Sequence, residues 1–223
     1  MIDLDGPHPT GTVLDDWLGG LPRGGLTLLW GPRRCGRTSL LQALARGLTS
    51  RTGTVHFNGA EPLHKGFQQT SVPAPLCREH TSLEALEEHL GRVTLAEGVD
   101  AVLIDDIERY PYGGRGRTAG IPLREVAALW ARLGTMLRAR DIVTVMTGTV
   151  RKSGAPPGTP LGVTEALYLM ADLVIEFAPV ARTMGSPHGG IVLEATIRKS
   201  RRHTPPPAHF WLRPMHEIPF SFA

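Results

Sequence analysis

Short apolar runs alternate with segments of helical periodicity along most of the chain. The apolar runs predict buried β-strands, and they lie at 26–30, 52–59, 100–106, 141–147 and 171–177. The segments between them repeat apolar residues every three or four positions, which predicts helices, at 38–48, 81–90, 121–140 and 164–170. Strands that alternate with helices predict a parallel sheet covered on both faces.

The last part of the chain has a different pattern. Residues 189–198 alternate between apolar and polar, and 208–213 follow a proline-rich turn, which together predict an antiparallel hairpin. Two loop-like segments, 110–120 and 151–162, are too short to form separate domains. We therefore predict one α/β domain over 1–223, with antiparallel strands added at one edge of a mostly parallel sheet.

Composition narrows the class of protein. The 223 residues are 41% apolar and 20% charged, which is ordinary for a globular domain. The sequence contains no run of about 18 apolar residues, so we expect no membrane contact. The N-terminal residues lack the basic-then-apolar order of a secretory signal. Cys35 and Cys77 give no disulfide framework, so a cytoplasmic protein is predicted.

The basic residues are almost all arginines. The net charge is +3 and the pI about 9.2, values that permit nucleic acid as a partner without requiring it. Lysine occurs only at positions 65, 152 and 199, although lysine and arginine together number 24. A codon bias towards arginine would explain this without any functional reason.

The segment "GPRRCGRT", at 31–38, has the spacing of a phosphate-binding loop. Gly31 and Gly36 stand where backbone N–H groups must turn inward around phosphate oxygens. The loop lies between a predicted strand and a predicted helix, so a phosphate would meet a helix N-terminus. Thr38 is placed to offer its hydroxyl to Mg²⁺. The alternative is a glycine-rich turn with no ligand.

Arg37 stands where such loops have a lysine. An ammonium is a compact charge, whereas a guanidinium is planar and bulkier but still pairs with phosphate. We therefore expect nucleotide binding to survive while alignment for γ-phosphoryl transfer suffers. Arg33 and Arg34 either add phosphate contacts or project into solvent.

Two carboxylates are candidates for the chemistry. Asp105 ends the run "AVLID" and so lies at the carboxyl end of a buried strand, where ligands bind in open α/β sheets. There it can hold Mg²⁺ and its water shell. Glu61 follows the second strand and can polarise an attacking water, or it is an exposed turn residue before Pro62.

Residues 10–45, "TGTVLDDWLGGLPRGGLTLLWGPRRCGRTSLLQALA", resemble the RecA/RadA/KaiC/DnaB group of P-loop ATPases. That family opens with T-G-x-x-x-L-D-x-x-L-G-G-G-x-P-x-G. The matching residues are Thr10, Gly11, Leu14, Asp15, Leu18, Gly19, Gly20, Pro22 and either Gly24 or Gly25. The similarity extends over nearly the whole chain. It implies a RecA core that assembles with itself or with a RecA-like partner, with ATP between neighbouring subunits.

The resemblance also assigns roles. It implies an ATP site formed by Gly31, Arg33, Arg34, Cys35, Gly36, Arg37, Thr38 and Leu40, with Mg²⁺ on Thr38 and Asp105. Glu61 falls at the catalytic glutamate. Lys199 and Arg201, in a late basic segment, would reach a neighbour's γ-phosphate. The two loop-like segments correspond to DNA-facing loops, with phosphate contacts from Arg115, Arg117, Arg151 and Lys152.

Three departures separate the chain from the recombinases of this family. Arg37 replaces the lysine, and Thr149 and Gly148 replace a glutamine that senses γ-phosphate and the asparagine before it. No helical domain precedes residue 10. The resulting hypothesis is a RecA-like, weakly hydrolysing ATPase that acts on DNA, single-stranded DNA in particular, in recombination, repair or replication. The alternatives are a non-hydrolysing structural or regulatory subunit and a KaiC- or DnaB-type ring ATPase.

Overall fold

A computed structural model describes residues 6–32, 35–52, 55–58, 76–78, 83–96, 99–107, 123–149, 163–180, 191–200, 205–212 and 220–222. Five helices and nine strands occur in these residues. The helices are α1 (Val13–Leu18), α2 (Arg37–Thr52), α3 (Leu83–Ala96), α4 (Leu123–Arg138) and α5 (Val163–Met170). The strands are β1 (Leu26–Gly31), β2 (Val55–Asn58), β3 (Leu76–Arg78), β4 (Ala101–Ile104), β5 (Val143–Thr149), β6 (Leu173–Pro179), β7 (Ile191–Ser200), β8 (Ala208–Leu212) and β9 (Phe220–Phe222).

All nine strands belong to one sheet, in the order β3-β2-β4-β5-β1-β6-β7-β8-β9. The pairs from β3 to β6 are parallel, and the pairs from β6 to β9 are antiparallel. The predicted fold class is therefore confirmed, with the antiparallel strands at the C-terminal edge. Because β4, β5 and β1 are adjacent and parallel, their carboxyl ends lie side by side.

Apolar side chains cover both faces of the central strands. On one face, Leu29 of β1 packs in a core with the buried leucines of α2. On the other, Leu28 packs in a second core with residues of α3, α4 and α5. In β4, Leu103 faces the first core and Val102 the second. The continuous apolar runs in the sequence reflect this burial of both faces.

Helix α1 was absent from the sequence prediction because six residues are too few to show helical periodicity. It is fixed by its ends: the Thr12 side chain accepts a hydrogen bond from Leu14 N, and Gly19 closes the helix in a left-handed conformation. Asp15 accepts hydrogen bonds from the backbone N–H groups of Thr10 and Gly11. The threonine, glycine and aspartate of the first family motif thus form one local cap.

In the part of the chain that the structure describes, no helix is both long enough and apolar enough to cross a membrane.

Candidate functional site

The loop at 31–38 connects the end of β1 with the start of α2, at the carboxyl edge of the sheet. Gly36 has a φ of 82°, a left-handed conformation that favours glycine. Its carbonyl accepts the early helical hydrogen bond from Leu40 N, at 2.9 Å. At Gly31, an added Cβ would lie 2.7 Å from both Cys35 Sγ and Phe177 O. Gly36 is therefore favoured by its backbone conformation, and Gly31 is favoured because a side chain would not fit there.

Two residues predicted for the ATP site have side chains in the core, so any contact that they make with a phosphate is through the backbone. Cys35 and Leu40 are each 2% exposed and pack in the same core as α2. Burial raises the pKa of the Cys35 thiol, against the opposing effect of the Arg37 guanidinium. The thiol therefore stays protonated at neutral pH, and its contribution is to pack beneath the loop. Arg33 and Arg34 lie outside the described residues.

Thr38 and Asp105 are in direct contact, although 67 residues separate them in the sequence. The Thr38 hydroxyl donates to the Asp105 carboxylate, with distances of 3.2 Å to Oδ1 and 3.0 Å to Oδ2. Asp105 follows β4 and is 6% exposed. The two residues predicted to hold Mg²⁺ are therefore adjacent at the carboxyl edge of the sheet.

Thr147, near the end of β5, is a site residue that the sequence prediction missed. Its hydroxyl donates to Asp105 Oδ1 at 2.7 Å and accepts a hydrogen bond from Asp106 N at 2.7 Å. Asp106 has a φ of 52°, so the backbone turns sharply at this point. The contact of Thr147 with Asp105 depends on β4 and β5 being neighbours in the sheet. The sequence did not predict it because hydrophobic periodicity does not determine strand order.

Arg37 extends from the start of α2 to the end of β5. Its Nη2 donates to Thr149 Oγ1 at 3.2 Å. Its Nη1 is buried and has no hydrogen-bond partner among the described residues. Two departures from the family pattern, Arg37 and Thr149, thus contact each other. A buried guanidinium nitrogen with an unused donor is costly unless a ligand supplies an acceptor.

The residues at this edge fit a magnesium nucleotide. Hydroxyl and carboxylate oxygens are the ligands that Mg²⁺ prefers, and Thr38 and Asp105 supply one of each. The unused donor of Arg37 matches a phosphate oxygen. The N-terminus of α2 adds backbone N–H groups and a favourable dipole.

Lys199, which the resemblance assigns to a neighbour's γ-phosphate, contacts helix α5 of its own chain. Its Nζ donates to Tyr168 O at 3.2 Å and to Leu169 O at 2.7 Å, near the C-terminus of α5. In the sheet it pairs with Val174, which in turn pairs with Leu28. Leu28 precedes Gly31 by three residues, so Lys199 lies roughly 10 Å along the strand direction from the start of the loop. It caps α5 and does not reach its own loop.

The remaining predicted site residues lie outside the described part of the chain. They are the candidate base, the second basic residue of the late segment and the candidate DNA contacts: Glu61, Arg201, Arg115, Arg117, Arg151 and Lys152.

Comparison with known proteins identifies the fold. No family model and no curated protein sequence matches the chain. Among solved structures, it is similar to a KaiC-like protein from the hyperthermophilic archaeon Pyrococcus horikoshii, with a TM-score of 0.71 and 17% sequence identity. The match covers 97% of this chain and 98% of the archaeal one.

The chain has a KaiC-like, RecA-type fold. The fold that the first motif implied is therefore confirmed. At 17% identity the likeness extends to the fold alone, so the roles of individual residues depend on their own geometry. In this RecA-type sheet, the loop after β1 and the aspartate after β4 occupy the edge where open α/β sheets bind ligands.

Proposed function

We propose that this RecA-like protein binds ATP with Mg²⁺ on the loop at 31–38 and hydrolyses it slowly. The observation that carries the proposal is the contact of Thr38 with Asp105 directly beside that loop. A threonine that follows the loop and a carboxylate that ends a neighbouring strand are the two protein groups that a P-loop site needs for its metal ion.

The polyphosphate is held by the loop backbone and by Arg37. Gly31 and Gly36 leave the backbone close to the ligand, and the first N–H groups of α2 face it. The Arg37 fork is anchored at Nη2 by Thr149, and Nη1 donates to a phosphate oxygen. Thr149 is therefore a positioning residue that acts through Arg37.

Thr38 and Asp105 hold the metal ion, and Thr147 holds Asp105. Held there with ATP, a Mg²⁺ ion would supply charge neutralisation at the phosphates and polarisation of the γ-phosphoryl group. The Thr147 hydrogen bond fixes the Asp105 carboxylate in one orientation before the ligand arrives. Such preorganisation spares the site the cost of ordering this side chain on binding.

Glu61 orients the water that attacks the γ-phosphorus. The new P–O bond forms as the bond to the β–γ bridging oxygen breaks. The water gives up a proton to Glu61, the bridging oxygen leaves with the bonding electron pair, and the products are ADP and phosphate. Slow turnover follows from Arg37, because a planar guanidinium tied to Thr149 cannot sit between the β- and γ-phosphates as a lysine ammonium does.

We also propose two kinds of partner, single-stranded DNA and a neighbouring RecA-like subunit. The protein acts on single-stranded DNA through Arg115, Arg117, Arg151 and Lys152, in recombination, repair or replication. Lys199 and Arg201 reach the nucleotide of a neighbouring subunit once the protein self-associates or joins a RecA-like partner. For Lys199 this requires exchange of its contacts with α5.

A non-hydrolysing subunit is the second candidate function. The observation that favours it is the anchoring of Arg37 by Thr149, which holds the cation at the end of β5. ATP would then act as a structural ligand that stabilises an assembly. Single-turnover measurement of ADP production separates the two: bound ATP without product supports this candidate. The ring ATPase alternative predicts a closed oligomer in native mass spectrometry with ATP.

The ATP site is tested by comparing Thr38→Val with Thr135→Val. Both remove one hydroxyl, but Thr135 lies on the exposed surface of α4, where it donates to Ala131 O. We expect Thr38→Val to weaken MgATP binding about tenfold, as for loss of a charge-assisted contact, and Thr135→Val to leave it unchanged. Equal MgATP affinities for the wild type and both variants would show that ATP does not bind at this site.

DNA binding is tested separately by the salt dependence of affinity for a single-stranded oligonucleotide. If arginine–phosphate contacts dominate, the logarithm of the binding constant falls linearly with the logarithm of salt concentration, and Arg115→Ala with Arg117→Ala makes the slope shallower. Affinity that does not change with salt would exclude this mode of DNA binding and leave the ATP site unaffected.

A further inference from the structure

We propose that a cavity at the opposite edge of the sheet binds a second ligand, a small organic anion with an aromatic or aliphatic body. The cavity has a volume of about 610 Å³, which suits a small molecule. Its walls come from the segment 17–25 before β1, the end of α4 with Asp141, the start of β6 with Asp172, and the end of β7 with Pro205. β1 is six residues long. It begins at the cavity and ends at the loop 31–38, roughly 17–20 Å away.

One side of the cavity is apolar. It consists of Trp17, Leu18, Leu173 and Ile197. The Trp17 indole N–H donates to Pro206 O at 2.9 Å, which holds the ring in place. A partly buried aromatic ring fixed at a cavity wall favours a ligand with an apolar or aromatic body.

The polar lining residues include Asp172, a carboxylate that already accepts hydrogen bonds within the protein. Asp172, whose side chain is 8% exposed, accepts hydrogen bonds from Leu26 N at 2.9 Å and from Arg138 Nη2. Arg138 Nε donates to Gly24 O at 3.2 Å. These bonds use two of the five N–H groups that a guanidinium carries. The Arg138 side chain is 49% exposed at the cavity, so donors remain for a ligand.

Arg23 is the second guanidinium at the cavity. Its Nε is buried and has no hydrogen-bond partner among the described residues. Its Nη1 lies 3.9 Å from Asp141 Oδ2, which is beyond hydrogen-bond distance. Asp141 is 62% exposed, and a solvated pair at this distance contributes little. The partly exposed side chains of Arg23 and Arg138 thus border a cavity whose buried carboxylate is engaged through Oδ2.

These walls select a ligand with a compact anionic group beside an apolar body. Carboxylates, sulfonates and phosphate esters all present two oxygens to a guanidinium fork. A polyphosphate chain does not suit the cavity, because Trp17, Leu18, Leu173 and Ile197 line it and Asp141 repels additional negative charge. The proposal does not depend on the ATP site.

The test uses the fluorescent probe 8-anilinonaphthalene-1-sulfonate on the folded full chain. N-phenyl-1-naphthylamine, which has the same aromatic body without the sulfonate, is the comparison ligand. We expect one sulfonate probe per chain, bound more tightly than the neutral analogue and not displaced by saturating MgATP. Equal affinity of the two ligands, or displacement by MgATP, would overturn the proposal.

Charge variants locate the probe. Arg23→Gln should weaken binding about tenfold, through loss of a charge-assisted hydrogen bond. Asp141→Asn should strengthen it several-fold, and asparagine tolerates the left-handed φ of 57° at this position. Arg92→Gln, the same change on an exposed arginine of α3, should have no effect. Unchanged binding in both cavity variants would contradict the assignment, and a thermal melt verifies that each variant is folded.

Discussion

Arg37 and Thr149 are two departures from the family pattern, in different segments of the chain, and the structure brings them into contact. The longer arginine reaches the end of β5, where a threonine hydroxyl accepts from it at 3.2 Å. The arginine that stands in place of lysine therefore has a hydrogen-bond partner of its own at the end of β5. Sequence spacing identified Arg37 as unusual, but the partner of its guanidinium is 112 residues away.

The first prediction concerns Arg37→Lys. A lysine would lose the contact with Thr149 and place a compact charge at the phosphates. We expect faster single-turnover hydrolysis of ATP, by about threefold to tenfold, since better charge placement at the γ-phosphate is worth on the order of 1 kcal/mol. An unchanged or slower rate would show that the arginine is not what limits turnover.

The second prediction concerns Gly31→Ala. The new methyl group would meet Phe177 O and Cys35 Sγ at 2.7 Å, and the backbone oxygen cannot move freely. We expect a loss of about 1–3 kcal/mol in the free energy of unfolding, measured by urea denaturation, and weaker ATP binding. Gly134→Ala in α4 is the control.

At Gly134, an added Cβ meets no atom within 4 Å. Alanine there should stabilise the helix by about 0.5–1 kcal/mol. Equal effects of the two substitutions would contradict the close packing inferred beneath the loop.

The end of β5 is the element that organises the site. Thr147 and Thr149 are two residues apart and therefore face the same side of the strand. One holds Asp105, and the other holds Arg37. A single strand thus orients both Asp105, the proposed Mg²⁺ ligand, and Arg37, the proposed phosphate contact.

The third prediction concerns Thr147→Val. Valine keeps the shape but removes the hydrogen bond to Asp105, so the carboxylate loses its fixed orientation. We expect the Mg²⁺ concentration for half-maximal ATP binding to rise about threefold to tenfold, with about 1 kcal/mol of stability lost. Thr147→Ser should retain most of the wild-type Mg²⁺ dependence.

Thr144→Val provides a control on the same strand. Its hydroxyl donates to Ile142 O at 3.4 Å, at the far end of β5 from the site. This substitution should leave the Mg²⁺ dependence unchanged. A shift as large as that of Thr147→Val would mean that β5 packing, and not the Asp105 contact, sets metal affinity.

Apolar pattern and element length together determined what the sequence could predict. β1, β4 and β5 are continuous apolar runs, the long helices have enough apolar positions to show their period, and the structure confirms each of these elements. α1, β3 and β9 have six, three and three residues, which is too few for a periodic pattern. Thr38 and Asp105 are proposed for Mg²⁺ from motif spacing, and the structure brings them into contact. The contacts of Thr147 and Thr149 required the order of the strands.

At the scale of the whole molecule, the two proposed sites lie at opposite ends of β1. The phosphate-binding loop lies at the carboxyl end of β1, and the proposed anion cavity lies at its amino end. The parallel α/β class followed from the alternation of strands and helices. The insertion of β1 between β5 and β6 did not, because strand order depends on how distant segments pack rather than on local pattern.

The fourth prediction concerns the N-terminal segment and pH. His8 pairs with Leu21 in an isolated β-bridge and is 7% exposed. Burial, with the nearby Arg23 charge, lowers the pKa of His8 from its ordinary value of 6.5. Below that value the unfolded chain binds a proton that the folded protein resists, so the free energy of unfolding falls as the pH falls.

His8→Gln removes this titration and keeps a neutral polar side chain. Urea denaturation at about pH 8 and about pH 5.5 should show a larger loss of stability for the wild type than for the variant. The same loss in both proteins would mean that His8 does not contribute to the pH dependence.

The central claim is that the loop at 31–38 binds a nucleotide together with a divalent cation held by Thr38 and Asp105. The most direct measurement is calorimetric titration of the wild-type protein with ATP, once with Mg²⁺ and once with EDTA. One ATP per chain should bind with Mg²⁺, and affinity should fall at least about tenfold in EDTA. No heat of binding at millimolar ATP, or equal affinity in both buffers, would contradict the claim.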